Sequence, residues 1–272
     1  MKPLFGIITY IGTLVRKAPY AYPAGIILLF CFFPFRPTFG QTSIIGIRVN
    51  DRVVVGADST SVRSDTMTRT EESYCKIGVG DGFFFALAGL YHNVETAFNP
   101  YMIIRDSSNL GLTIEKKVKR LEEMIEKPLT EILERLRRDS PLEYARRYQG
   151  GSALQIIFFG VEEGSTFMLA REFVPTATIL FPVQIIIFRY KCPGDCENGE
   201  EIYKLGESEA IDRFLIKEPD FWKNNPVDAI RKLIELEIAD RPLNVGPPID
   251  ILQIDKNGAR WIQKKKECSD IQ

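Results

Sequence analysis

Thr42 is the residue from which chemistry would start. It stands where a greasy leader meets the first strand-like run, TSIIGIRV (42–49). A threonine exposed as a chain terminus carries a hydroxyl and a free α-amine on one residue. Such an amine titrates at about 7.7–8.0, so near neutral pH it accepts the hydroxyl proton directly or through a water. Ionisable residues follow at the ends of further strand-like runs, Asp58 in GADS and Lys76 in CKIGV. Gly89 closes FFFALAG, and Asp240 follows a late helical run. Each has an ordinary alternative. Threonine favours strands, Asp-Ser is a common turn, and a lysine beside an apolar strand reaches solvent along its stem. Taken singly, each residue favours that ordinary reading.

The remaining composition narrows the chemistry. The 272 residues include one histidine, His92, so serine–histidine or cysteine–histidine catalysis and any histidine-rich zinc site would all rest on it. Its place after AGLY, at a strand-to-helix junction, reads as structural or simply exposed. Net charge is −1 from 35 basic and 36 acidic residues. No single-sign field, aromatic-interleaved basic patch or phosphate-loop pattern is present, so no nucleic acid is expected as a partner. No metal or cofactor is expected either. A 45% hydrophobic share with 26% charged residues is ordinary globular composition.

Residues 1–41 read as a signal peptide, an N-terminal anchor or a propeptide. Lys2, Arg16 and Lys17 precede the apolar run AGIILLFCFFPF (24–35), which is short for a bilayer span and suits a signal-peptide core. Thr38 and Gly40 are small residues placed for cleavage after Gly40, and processing after Gln41 is the other option. The expected location is exported, periplasmic or extracellular, or membrane-anchored if the leader is retained. Cysteine usage agrees. Cys75, Cys192, Cys196 and Cys268 form an even set in the body, and CPGDC (192–196) is a turn that a disulfide could close. Pairing beyond that stays open.

The elements that must position these residues are strand-rich at both ends. TSIIGIRV and RVVVGAD (52–58) meet at Asn50-Asp51 as a hairpin, and YCKIGV (74–79) with FFFALAG (83–89) repeats the pattern. Residues 113–138 carry helical spacing, with Pro128 expected to kink or divide the helix. ALQIIFFGVE (153–162), TFMLAREF (166–173) and ATILFPVQIIIFRY (177–190) are strand-like. SEAIDRFL (208–215) and NPVDAIRKLIELEIA (225–239) are helical, the latter capped by Asn225. IDILQID (249–255) and ARWIQKK (259–265) form a closing hairpin. Such apolar strands need cover on both faces, and one domain over 42–272 is expected.

These residues resemble a known family. TSIIGIRVNDRVVVGADS followed by CKIGVGDGFFFALAG is similar to the opening of proteasome β-subunits and their bacterial relatives, the N-terminal nucleophile hydrolases. The offset from Thr42 to Asp58 is the family's own. PVDAIRKLIELEIADRPLNVGPPIDILQIDKNG resembles its late helix, glycine-rich turn and final hairpin, while about 90–200 agrees only in element order. The resemblance implies an α+β fold built as a four-layer α-β-β-α sandwich. It implies that Thr42 is the nucleophile and that Lys76 lowers the pKa of its amine by like-charge repulsion. It further implies that Asp58 orients Lys76, that Gly89 supplies an oxyanion-hole N–H, and that Asp240 supports the nucleophile from the late loop. The chain departs from the pattern in several places. Gln41 precedes Thr42 in place of glycine, Thr60 replaces an arginine, and the span from Asp58 to Lys76 is longer. A Gly-Ser-Gly turn reads Gly206-Glu207-Ser208, which leaves the supporting serine displaced to Ser208 or lost.

The function so implied is an exported N-terminal-threonine hydrolase of peptide or other amide bonds, activated by removal of the leader. A homo-oligomer, and membrane attachment through the leader, stay open. The alternatives are a non-catalytic proteasome-like structural subunit and a membrane-anchored interaction protein.

Overall fold

The first hairpin forms where two β-branched runs meet at Asn50-Asp51, whose φ angles of 50° and 53° are the left-handed pair a tight two-residue turn requires. The computed structural model of the protein describes residues 42–59, 61–62, 69–70, 75–90, 97–107, 112–176 and 181–268. The expected leader and His92 lie outside the described residues. Among the described residues there are twelve strands: β1 (Ser43–Val49), β2 (Arg52–Ala57), β3 (Ser61–Val62), β4 (Arg69–Thr70), β5 (Ile77–Val79), β6 (Phe84–Gly89), β7 (Leu154–Glu162), β8 (Ser165–Thr176), β9 (Gln184–Cys192), β10 (Glu201–Gly206), β11 (Asp250–Asp255) and β12 (Gly258–Gln263). The helices are α1 (Pro100–Asp106), α2 (Ile114–Asp139), α3 (Pro141–Tyr148), α4 (Glu209–Leu215), α5 (Phe221–Asn224) and α6 (Pro226–Asp240).

The strands form two antiparallel five-stranded sheets, ordered β10-β1-β2-β11-β12 and β5-β6-β7-β8-β9, and a separate two-stranded ribbon, β3-β4. β1 is internal, with Ser43 opposite Gly206 on one side and Ile44 opposite Ala57 on the other. The middle strand of that sheet is β2. Between the sheets, Ile44, Val55 and Leu252 meet Ala86, Ile157 and Phe159 in one apolar cluster. Ile45, Ile47 and Val54, on the opposite face of the first sheet, join Ile230, Leu233 and Ile234 of α6. Leu121, Ile125, Leu129 and Leu133 of α2 join Phe85, Phe158 and Phe173 of the second sheet.

The expected four-layer α-β-β-α sandwich is corrected by the outer strands. β12 is exposed or half-buried throughout. On β9, Ile185 and Ile187 pack on the α2 cluster, while Ile186, Phe188 and Tyr190 on the opposite face are exposed, so the layers do not cover the outer strands. Arg189 and Lys191 reach Glu122 and Glu115 of α2 from the rim of the sheet, and Arg260 and Gln263 are exposed; an antiparallel sheet tolerates outer strands that are partly in water. The expectation took apolar composition as a sign of cover, whereas β9 is apolar and still exposes Ile186, Phe188 and Tyr190. Helix α2 is likewise continuous through Pro128 and is not divided there. Proline removes one backbone bond, and the buried residues on either side, Ile125 and Leu129, keep the helix seated.

Candidate active site

Antiparallel pairing brings the start of β1, the end of β2, the start of β5 and the end of β6 to neighbouring strand ends within their sheets. Asp58 directly follows β2 and turns back to β1. Its N–H donates to the carbonyl of Ser43 at 3.1 Å, and its Oδ1 accepts the Ser43 N–H at 2.9 Å. Lys76 Nζ lies 2.6 Å from the same Oδ1, with the aspartate side chain 0% and the lysine side chain 9% exposed. Oδ2 accepts the Gly246 N–H at 3.1 Å. The Ser59 N–H donates to the Gly246 carbonyl at 2.9 Å, which fixes the late loop against the end of β2. Burial pulls the Lys76 ammonium below its usual titration range, and Asp58 opposes that shift. The nearby Lys265 ammonium adds to the lowering.

Thr42 is buried at the head of β1, one residue from the N–H that Asp58 holds. Its carbonyl accepts the Glu207 N–H at 2.7 Å. Gly206, at φ 76°, presses its Cα against Thr42 so closely that a Cβ there would collide with the Thr42 carbonyl oxygen. The next neighbour of that missing Cβ is Ala88, so the end of β6 reaches the same place. Gly89 follows Ala88 with φ 105°, and a Cβ on it would collide with the Ala153 carbonyl. Its glycine identity therefore has a backbone cause, apart from any approach of substrate.

Asp240 is placed differently from the other four. At the end of α6 it binds Arg213 Nη2 at 2.6 Å and faces Arg241 Nε at 3.5 Å, with its side chain 33% exposed. The late-loop group that reaches Asp58 is the Gly246 N–H. Ser208 turns its hydroxyl to Asp212 Oδ2 at 3.3 Å, at the head of α4. Within the Gly206-Glu207-Ser208 turn, Gly206 packs on Thr42 and the Glu207 N–H bonds its carbonyl.

Three features escaped the sequence reading. Glu207 is one. A buried ion pair, Lys265 Nζ to Asp250 Oδ2 at 3.1 Å, is the second. Burial raises the Asp250 carboxyl, with Lys265 pulling against it. The third is the Cys75–Cys268 disulfide, which joins the residue before Lys76 to the segment following Lys265. The expected Cys192–Cys196 disulfide is also present. Two disulfides fit an oxidising compartment, and no described helix is long and apolar enough to cross a membrane. Among the described residues no cluster suited to a metal ion occurs. No protein-family model matches this chain, and no curated protein matches it at a significant level.

Proposed function

We propose that the protein is an exported N-terminal-threonine hydrolase of peptide or other amide bonds, of the proteasome-like N-terminal nucleophile kind, with Thr42 as nucleophile. The observation that carries this reading is the buried Lys76–Asp58 pair bonded to the backbone one residue from Thr42. A buried lysine held by an aspartate has an ordinary structural role in many proteins, but here it sits at the one residue where a leader would be removed. Cleavage of the Gln41–Thr42 bond converts an amide nitrogen, whose lone pair is delocalised, into an amine that accepts a proton. The Thr42 hydroxyl then gives its proton to that amine and its oxygen attacks the substrate carbonyl. The amine returns the proton to the leaving nitrogen, and an ester to Thr42 forms. Water, deprotonated by the same amine, cleaves the ester and regenerates the hydroxyl. Lys76 favours the neutral amine by charge repulsion.

The test is the mature terminus together with two variants. Terminal sequencing is expected to find Thr42 first, and hydrolysis of small amide or peptide substrates is expected to vanish in Thr42→Ala. Thr42→Ser, which keeps the hydroxyl, retains a part of the rate. A secreted protein that starts at Gln41 or earlier and hydrolyses equally well would overturn the proposal.

A further inference from the structure

A closed circuit of bonds surrounds the head of β1. The Glu207 N–H donates to the Thr42 carbonyl at 2.7 Å. Glu207 Oε1 accepts from Asn244 Nδ2 at 3.1 Å. Two residues on, the Gly246 N–H donates to Asp58 Oδ2 at 3.1 Å, and Asp58 Oδ1 accepts the Ser43 N–H at 2.9 Å. That last bond returns to the residue beside Thr42. The circuit contains two titratable side chains. Asp58 is met by an ammonium and two backbone N–H groups. Glu207 is 1% exposed, has one bond for its two oxygens, and leaves Oε2 buried without a partner.

Resting on the reading of Thr42 as nucleophile, we infer that Glu207 is a positioning residue whose protonation state sets the geometry at Thr42. The neutral carboxyl holds the circuit, and its ionisation loosens it. A neutral acid tolerates burial with few bonds, whereas an ionised one seeks several donors. The cation nearest to hand is Arg241, which already binds Glu209 Oε2 at 2.6 Å. Glu209 on α4 and Glu237 on α6 repel a new anion, and Asn244 and Arg241 favour it. Ionised Glu207 therefore draws toward Arg241 or water, and either movement strains the bonds to Asn244 or to Thr42. Burial as the leading cause raises this carboxyl to about 7. The sign follows. A carboxyl whose folded value lies above its unfolded one favours the fold in acid. That advantage is lost as pH rises from the unfolded value through about 7.

The experiment is a carbon-detected NMR titration of the Glu207 carboxyl in the wild-type protein, following the Ser43 and Gly246 amides in the same samples. All three are expected to share one midpoint near neutrality. In Glu207→Gln the amide titration disappears, and in Asn244→Ala the carboxyl midpoint rises because a donor to the anion is gone. Between pH 5 and 8 the unfolding equilibrium of the wild type should rise relative to Glu207→Gln by a factor on the order of a hundred. A fall of kcat/KM toward alkaline pH is expected in the wild type as the circuit loosens, and it should be absent from the same variant. A carboxyl that titrates below pH 5, or amides that ignore it, overturns the inference. A wild-type protein that shows the coupled titration yet hydrolyses nothing overturns the nucleophile reading alone. If Glu207→Gln does not fold, the wild-type and Asn244→Ala titrations decide.

Discussion

Asp58 gathers the Ser43 N–H, the Gly246 N–H and the Lys76 ammonium in a fully buried place. The change Asp58→Asn keeps the shape and removes the charge, so a buried ammonium is left without its counterion. Breaking such a pair costs about 3–5 kcal/mol. The variant is expected to lose that much stability in a urea titration, besides any rate. Loss of less than about 1 kcal/mol would mean that Lys76 escapes to water and that the pair does not hold it. Legibility differed among these residues. Thr42, Asp58 and Lys76 stood out because they flank strands that β-branched runs make obvious. Asp240 was carried over by its place at the end of the late helix, but an aspartate there beside Arg213 and Arg241 has surface partners of its own. Glu207 had no signal, since a glutamate after a glycine reads as a solvent-facing turn until burial is known.

Among the elements, β10 does the least conspicuous work at the site. Its last residue, Gly206, lies opposite Ser43 and backs the Thr42 carbonyl. Gly206→Ala combines a left-handed φ with a collision against backbone, and its expected cost is at least about 2 kcal/mol. Gly150→Ala provides the control. It has a similar φ, 81°, with nothing near its missing Cβ, so it carries only the conformational part, about 1 kcal/mol. Comparable melting temperatures for the two variants would remove the claim that Gly206 is needed for close approach to Thr42. Pattern reading found the hairpins β1–β2, β5–β6 and β11–β12, where apolar runs end at Asn, Asp or Gly. It missed β10, because EIYKLG is half-buried along most of its length and alternates weakly. It missed α1 and α3 as well. Both begin at a proline that fixes the first helical φ, Pro100 and Pro141, and both are too short to show a full apolar period.

For the whole molecule, the two disulfides differ in reach. Cys75 and Cys268 are separated by 193 residues and Cys192 and Cys196 by 4. On the chain-entropy account the long bridge is worth about 5 kcal/mol and the short one about 2. The paired change Cys75→Ser/Cys268→Ser is therefore expected to lower the melting temperature well beyond Cys192→Ser/Cys196→Ser. Equal losses would show that the long loop is already constrained without its bridge. A different consequence follows from the position of β1. Because the strand pairs with β10 from Ser43 and with β2 from Ile44, and Asp58 and Glu207 already grip the backbone at Ser43 and Thr42, the proposed cut before Thr42 breaks none of these bonds. Under the proposed function, maturation at that bond would change the charge and basicity of one nitrogen while keeping the bonds that hold the head of β1. At the head of β1, precursor and product would then differ by a single proton-binding group.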